Sequence, residues 1–151
     1  MKAPRVIALG NDAAGDDGAA LAAARALAEG GVEVVLAGRP GVGLIDLLEA
    51  CEKVVLLDVV RTGAAPGTIV VMPLDELTAR AVARGSTSTH DLGPAEAIRL
   101  AEALGRPLPR GIFAGIEGAC FTAGAPLSEA VRAGVPALVD AARHAVEALT
   151  P

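Results

Sequence analysis

The chain has 151 residues, 52% of them hydrophobic, a formal net charge of -5 and neither tryptophan nor tyrosine. That length suits one domain spanning 1–151, able to bury roughly 70% of the surface its unfolded form exposes. The acidic balance, with only two phenylalanines, argues against nucleic acid as a partner, because phosphates are repelled and bases find no stacking platform. A mean hydropathy of +0.50 does not make a membrane protein, since the longest uncharged stretch, 62 to 74, is far short of a span and holds two prolines.

The N-terminus has only about five apolar residues before Gly10, too few for a signal peptide, so a cytoplasmic protein is expected. "RVIAL" (5 to 9) reads as a first strand, followed by the acidic, glycine-rich "GNDAAGDDGAA" (10 to 20). A helix is expected at 18 to 29, stopped by Gly30 and Gly31. A strand at 32 to 37 and a helix at 43 to 51 follow, then "KVVLLD" (53 to 58), a strand ending on Asp58. A strand at 67 to 72 and a helix at 75 to 83 lead to the polar "GSTSTHDLGP" (85 to 94), which precedes a helix at 92 to 104. The last strand is expected at 111 to 116 and the last helix at 128 to 149, with Ser128 as its cap and Gly134 and Pro136 breaking or kinking it into two pieces. Alternation of this kind predicts a three-layer α/β domain on a mostly parallel sheet. Cys51 and Cys120 lack metal-type spacing and sit in apolar surroundings, so both read as buried core thiols in a reducing compartment.

In open α/β sheets the ligand crevice lies beyond the carboxyl ends of the strands. The first strand runs into Asn11, Asp12, Asp16 and Asp17, and the third ends on a carboxylate, Asp58, directly after four apolar residues. Glycines 10, 15 and 18 fit neither GxGxxG nor GxxxxGK[ST], and the neighbouring carboxylates would repel a phosphate. A phosphate cradle is therefore rejected, which leaves a turn with a helix-capping aspartate, or a cation site. His90, in a small polar loop, would complete with two carboxylates an oxygen and nitrogen set suited to nickel or zinc. His144 reads as an ordinary helix-surface residue. No GxSxG elbow occurs and neither cysteine has an obvious histidine partner, so any hydrolysis would run through metal or carboxylate chemistry.

Taken in order, "ALGNDAAGDDGAA", "VVLLDVVRTGAAPGTIVV", "STSTHDLGPAEAIRLAEALG", "IFAGIEG" and "GAPLSEAVRAGVPALV" resemble the hydrogenase maturation proteases over nearly the whole chain. That resemblance implies an α/β/α sandwich with a five-stranded twisted sheet, one strand antiparallel. It implies an endopeptidase that trims the C-terminal extension of a nickel-iron hydrogenase large-subunit precursor after nickel insertion. It also implies that Asp17, Asp58 and His90 contact nickel held by that precursor, so that the metal belongs to the substrate and no organic cofactor is needed. The expected partner is the precursor, and the chain is expected to act as a monomer. Asp16 is then a cap or a support for Asp17, and Asp12 a solvated turn residue. Gly41 and Gly43 resemble a glycine-rich family segment that admits a substrate tail, and read equally well as a helix-entry turn. Where the family often has glycine, this chain has Ala8 and Ala20, and where it often has leucine, Ala13.

Two other function classes use similar residues. A phosphoacceptor receiver also places an acidic pair after its first strand and an aspartate on its third, but "GIFAGIEG" offers no lysine to pair with a phosphoryl group. A metal-sensing chaperone that binds the precursor without cutting it would use the same three groups.

Overall fold

Each β-branched run becomes a strand and each alanine- and leucine-rich segment a helix. The computed structural model describes residues 3–84 and 93–151. The strands are β1 (Arg5–Leu9), β2 (Val34–Gly38), β3 (Lys53–Val60), β4 (Ile69–Pro73) and β5 (Arg110–Glu117). They form one sheet in the order β2-β1-β3-β5-β4, parallel throughout except for β4, which runs antiparallel to β5. This is the architecture expected, four parallel strands and one antiparallel.

The helices are α1 (Ala19–Glu29), α2 (Gly43–Glu49), α3 (Leu74–Arg84), α4 (Pro94–Ala103) and α5 (Glu129–Leu149). Successive strand residues point to opposite faces, and both faces are covered, as a parallel sheet requires. Val6, Ala8, Val55 and Leu57 pack with α1 and α5. Ile7, Leu9, Val54 and Leu56 pack with α2, α4 and Leu74 of α3. Four fully buried alanines of α1, at 19, 20, 23 and 24, keep that helix close to the sheet. Among the described residues, no helix is long and apolar enough to cross a membrane.

Two expectations are corrected here. β3 does not end on Asp58 but continues to Val60, because β5 pairs along its whole length, with Asp58 opposite Gly115. Pairing with β1 stops one residue earlier, at Ala8 and Leu57, so Asp58 is the first residue of β3 beyond the end of its neighbour. The second correction concerns α5, which runs unbroken through Gly134 and Pro136. An internal proline costs about 3 kcal/mol, whereas burying Val131, Leu138, Val139 and Leu149 contributes roughly 1.5–3 kcal/mol each. Packing therefore outweighs the lost hydrogen bond.

Candidate functional site

The site begins with a glycine. Gly10, just past β1, has φ +134, and a Cβ there would lie 2.0 Å from the carbonyl oxygen of Asp17, so only glycine lets the loop fold back over the strand end. The return is fixed by the Gly10 N–H donating to Gly38 O (2.9 Å) and the Asn11 N–H donating to Asp17 O (3.0 Å). Asn11 closes the turn by accepting the Ala13 N–H on Oδ1 at 2.9 Å. A 3-10 turn, Gly15–Gly18, then places Asp17 over the sheet with only 6% of its surface exposed.

Asp17 and Asp58 line one pocket of about 180 Å³ at the carboxyl ends of β1, β2 and β3, together with Leu9, Gly10, Gly38 and Arg39. Asp58 shares the face of Val54 and Leu56, towards α4, and the first residues of that helix segment, Gly93 and Pro94, also line the pocket. Burial pushes the Asp58 carboxyl up to about 7, helped by the negative charge of Asp17 and opposed by the Val59 N–H and by Arg39. Among the described residues, its hydrogen-bond donor is that N–H, at 2.8 Å to Oδ1. Asp17 is held by Arg39, whose Nε donates to Oδ2 at 3.0 Å and whose Nη2 donates to the same oxygen.

Of the expected trio, Asp17 and Asp58 are thus brought together, and His90 lies outside the described residues. Gly93 and Pro94, the next described residues after that segment, reach the pocket rim. Among the described residues, no group of three histidine, cysteine or acidic side chains stands ready to hold a metal ion, so the described donors are the two carboxylates. Gly41 lines the pocket with φ +57 and open space where a Cβ would sit, while Gly43 simply begins α2. His144 is on the exposed surface of α5, as expected.

Two acidic residues take roles that the sequence did not indicate. Asp16 is fully buried and caps neither the 3-10 turn nor α1 with its side chain. It clamps the segment between β5 and α5 instead, accepting the N–H groups of Ala119 (2.8 Å), Cys120 (2.9 Å) and Ser128 (2.7 Å) and the Ser128 hydroxyl (2.9 Å). Burial works to raise its pKa, yet the donors from Cys120, Ser128 and Ala119 together hold the carboxyl below its ordinary value. Ser128 is the residue before α5, but its hydroxyl serves Asp16 rather than the helix. Asp12 is an exposed turn residue, as expected, and is also ion-paired with Arg25. Glu117, buried at the end of β5 and not singled out by the sequence, accepts the Thr62 N–H at 2.9 and 2.8 Å and the Thr62 hydroxyl. It ties down the β3–β4 connection.

Neither cysteine is a core residue. Both are free and half-buried; Cys51 rests against the α2/α4 core with burial pushing its thiol up, and the Cys120 thiol lies near the Thr122 hydroxyl at 3.4 Å. Arg39 was the functional candidate missed. It is the first residue past β2, and a survey of strand ends that includes the second strand selects it.

A mostly parallel α/β/α sandwich with paired carboxylates in a pocket at the carboxyl ends of its strands defines a ligand-reading α/β protein. Residues 19–145 match the family model of the hydrogenase maturation proteases (HycI), a span that includes Asp58 and position 90 and begins two residues after Asp17. The [NiFe] hydrogenase maturation protease HybD from Thermococcus kodakarensis is 30% identical, with 93% of this chain and 97% of that chain covered and a TM-score of 0.74. The hydrogenase maturating endopeptidase HybD from E. coli is 18% identical, with 96% and 93% covered and a TM-score of 0.80. HycI from Thermococcus kodakarensis KOD1 is 22% identical, with 97% and 94% covered and a TM-score of 0.69. The last two likenesses speak to the fold alone. No curated protein sequence matches. The chain belongs to the hydrogenase maturation protease family and is by that membership a peptidase. The receiver-like alternative falls with that finding.

Proposed function

We propose that the chain is an endopeptidase that removes the C-terminal extension of a nickel-iron hydrogenase large-subunit precursor after nickel insertion, reading the bound nickel through Asp17, Asp58 and His90. The nickel is part of the substrate. The observation that carries this reading is the convergence of two carboxylates, one from the 3-10 turn after β1 and one from β3, on one pocket at the sheet's carboxyl end. Carboxylate and imidazole donors suit nickel. Burial pushes the Asp58 carboxyl of the ion-free site up to about 7, so engaging the nickel releases a proton from it near neutral pH. Asp17, kept from solvent beside Arg39, supplies a charged oxygen towards the ion. With two free cysteines, a reducing cytoplasm is the fitting compartment.

The test is to incubate the protein with nickel-loaded and nickel-free precursor and weigh the products. A C-terminal peptide should be lost only from the loaded form, and Asp17→Ala or Asp58→Ala should abolish the loss. Equal cleavage of both forms would remove nickel recognition, and nickel-dependent binding without any change in precursor mass would mark a sensing chaperone instead.

A further inference from the structure

We propose that Arg39 is a specificity-determining residue of this pocket, an internal counter-cation on Asp17 that an ion fixed within a docked precursor displaces more readily than a free ion does. The inference rests on the reading of Asp17 as an ion contact and deepens it. Both Nε and Nη2 of Arg39 donate to the same oxygen, Oδ2, of Asp17. A divalent ion approaching that oxygen meets a positive charge already seated there, and the two cations repel.

Exposure of the pair is lopsided. The Asp17 side chain is 8% exposed, whereas that of Arg39 is 48% exposed. The carboxylate is thus fixed in the protein while the guanidinium reaches the surface, so an exchange of cations on Asp17 moves the arginine and not the acid. The backbone supports such a swing from a fixed root: Gly38, directly before Arg39, has φ +63, and its carbonyl is held by the Gly10 N–H at 2.9 Å.

Competition of this kind separates two sources of metal. A free ion must shed water and expel Arg39 in exchange for the oxygens of this pocket alone. An ion carried by a docked precursor is presented at high effective concentration, because docking has already supplied the association. Arg39 therefore lowers the affinity for free ions more than it lowers engagement of loaded precursor. Replacing it by glutamine leaves a desolvated carboxylate without its counter-charge, and that carboxylate should take up any available cation.

The experiment is calorimetric titration of nickel chloride into the wild-type protein, Arg39→Gln, Arg39→Lys and Asp17→Asn, with thermal unfolding to establish that each is folded. Arg39→Gln should bind nickel at least about tenfold more tightly than wild type, with Arg39→Lys between the two because it keeps the charge and loses the paired donors. In parallel, saturating wild type with diamagnetic zinc should move the Arg39 Nε–H resonance away from its position in the pair with Asp17. Equal or weaker nickel binding by Arg39→Gln, or an Arg39 resonance that does not move, overturns the inference. The parent reading fails differently. If Asp17→Asn still cuts loaded precursor, Asp17 is no ion contact, whereas failure of the Arg39 inference alone leaves Asp17→Asn inactive.

Discussion

Asp16, Asp17 and Asp58 gather at the same end of the sheet, yet their surroundings give them three chemistries. Asp16 receives four donors and stays charged despite complete burial. Asp17 is paired with Arg39. Among the described residues Asp58 receives a hydrogen bond from the Val59 N–H alone, and burial prevails, moving its carboxyl from 3.8 to about 7. The sign of the consequence follows from proton counting. Between about pH 4 and pH 7 the folded chain holds a proton on Asp58 that the unfolded chain has lost, so stability falls as pH rises through that window. At about 1.4 kcal/mol per unit, a rise of roughly three units bounds the loss at about 4 kcal/mol, and the solvent contact that Asp58 keeps brings it nearer 2 kcal/mol. Asp58→Asn keeps the shape and the acceptor while removing the charge. Urea unfolding at pH 5, 6.5 and 8 should show the variant gaining on wild type by about 2–4 kcal/mol at pH 8 and by less at pH 5. Parallel pH profiles for the two proteins would mean that burial does not govern Asp58. This residue was legible in the sequence because a carboxylate directly following a fully apolar run demands an explanation. Arg39 was legible only as a charged residue past the second strand, because its pairing with Asp17, twenty-two positions away, is a tertiary contact.

At the scale of elements, periodicity and end signals located every helix and strand, and the errors fall where tertiary contact overrides local preference. α5 is the clearest case. Gly134 and Pro136 are helix breakers by propensity, but Gly134 is placed against the β3–β4 connection, where a Cβ would come within 2.9 Å of Gly67 O and 3.0 Å of Ile116 Cδ1. A glycine that looks like a stop signal is a point of close approach. Gly134→Ala tests which description is right. Helix propensity alone would stabilise the variant by about 1 kcal/mol, whereas the contact with a backbone oxygen requires the helix or the connection to shift. The variant should melt lower than wild type by several degrees, corresponding to roughly 1–2 kcal/mol. A higher melting temperature would show that the packing there is loose. Ser128 carries the same lesson, since the residue type that caps helices was present at the expected place while its hydroxyl turned to Asp16, a partner 112 positions away.

Across the whole molecule, the position of the site follows from how the sheet is wired. Strand alternation implies parallel pairing, and the eight-residue connection 61–68 between β3 and β4 is too short for a parallel crossover, so the reversal of β4 is readable in principle. The insertion of β5 between β3 and β4 is not, because it depends on pairing between distant segments. What that order creates is a frame and a gap: β5 supports β3 out to Val60 while β1 stops at the level of Leu57, and the pocket opens where support is on one side only. Frame and pocket should then respond separately to change. Asp58→Asn alters only the pocket, so it should abolish cleavage of nickel-loaded precursor while raising stability at pH 8, the direction expected where function is built from strained or desolvated groups. Gly10→Ala strikes the joint between them, since its φ of +134 and the 2.0 Å approach to Asp17 O leave no room for a methyl group. It should lose cleavage too, but with stability lowered by about 2 kcal/mol or more. Mass spectrometry of the precursor beside thermal unfolding of both variants reads the two effects together. A Gly10→Ala protein that melts like wild type, or an Asp58→Asn protein that cuts at the wild-type rate, would break the link between this crevice and the chemistry.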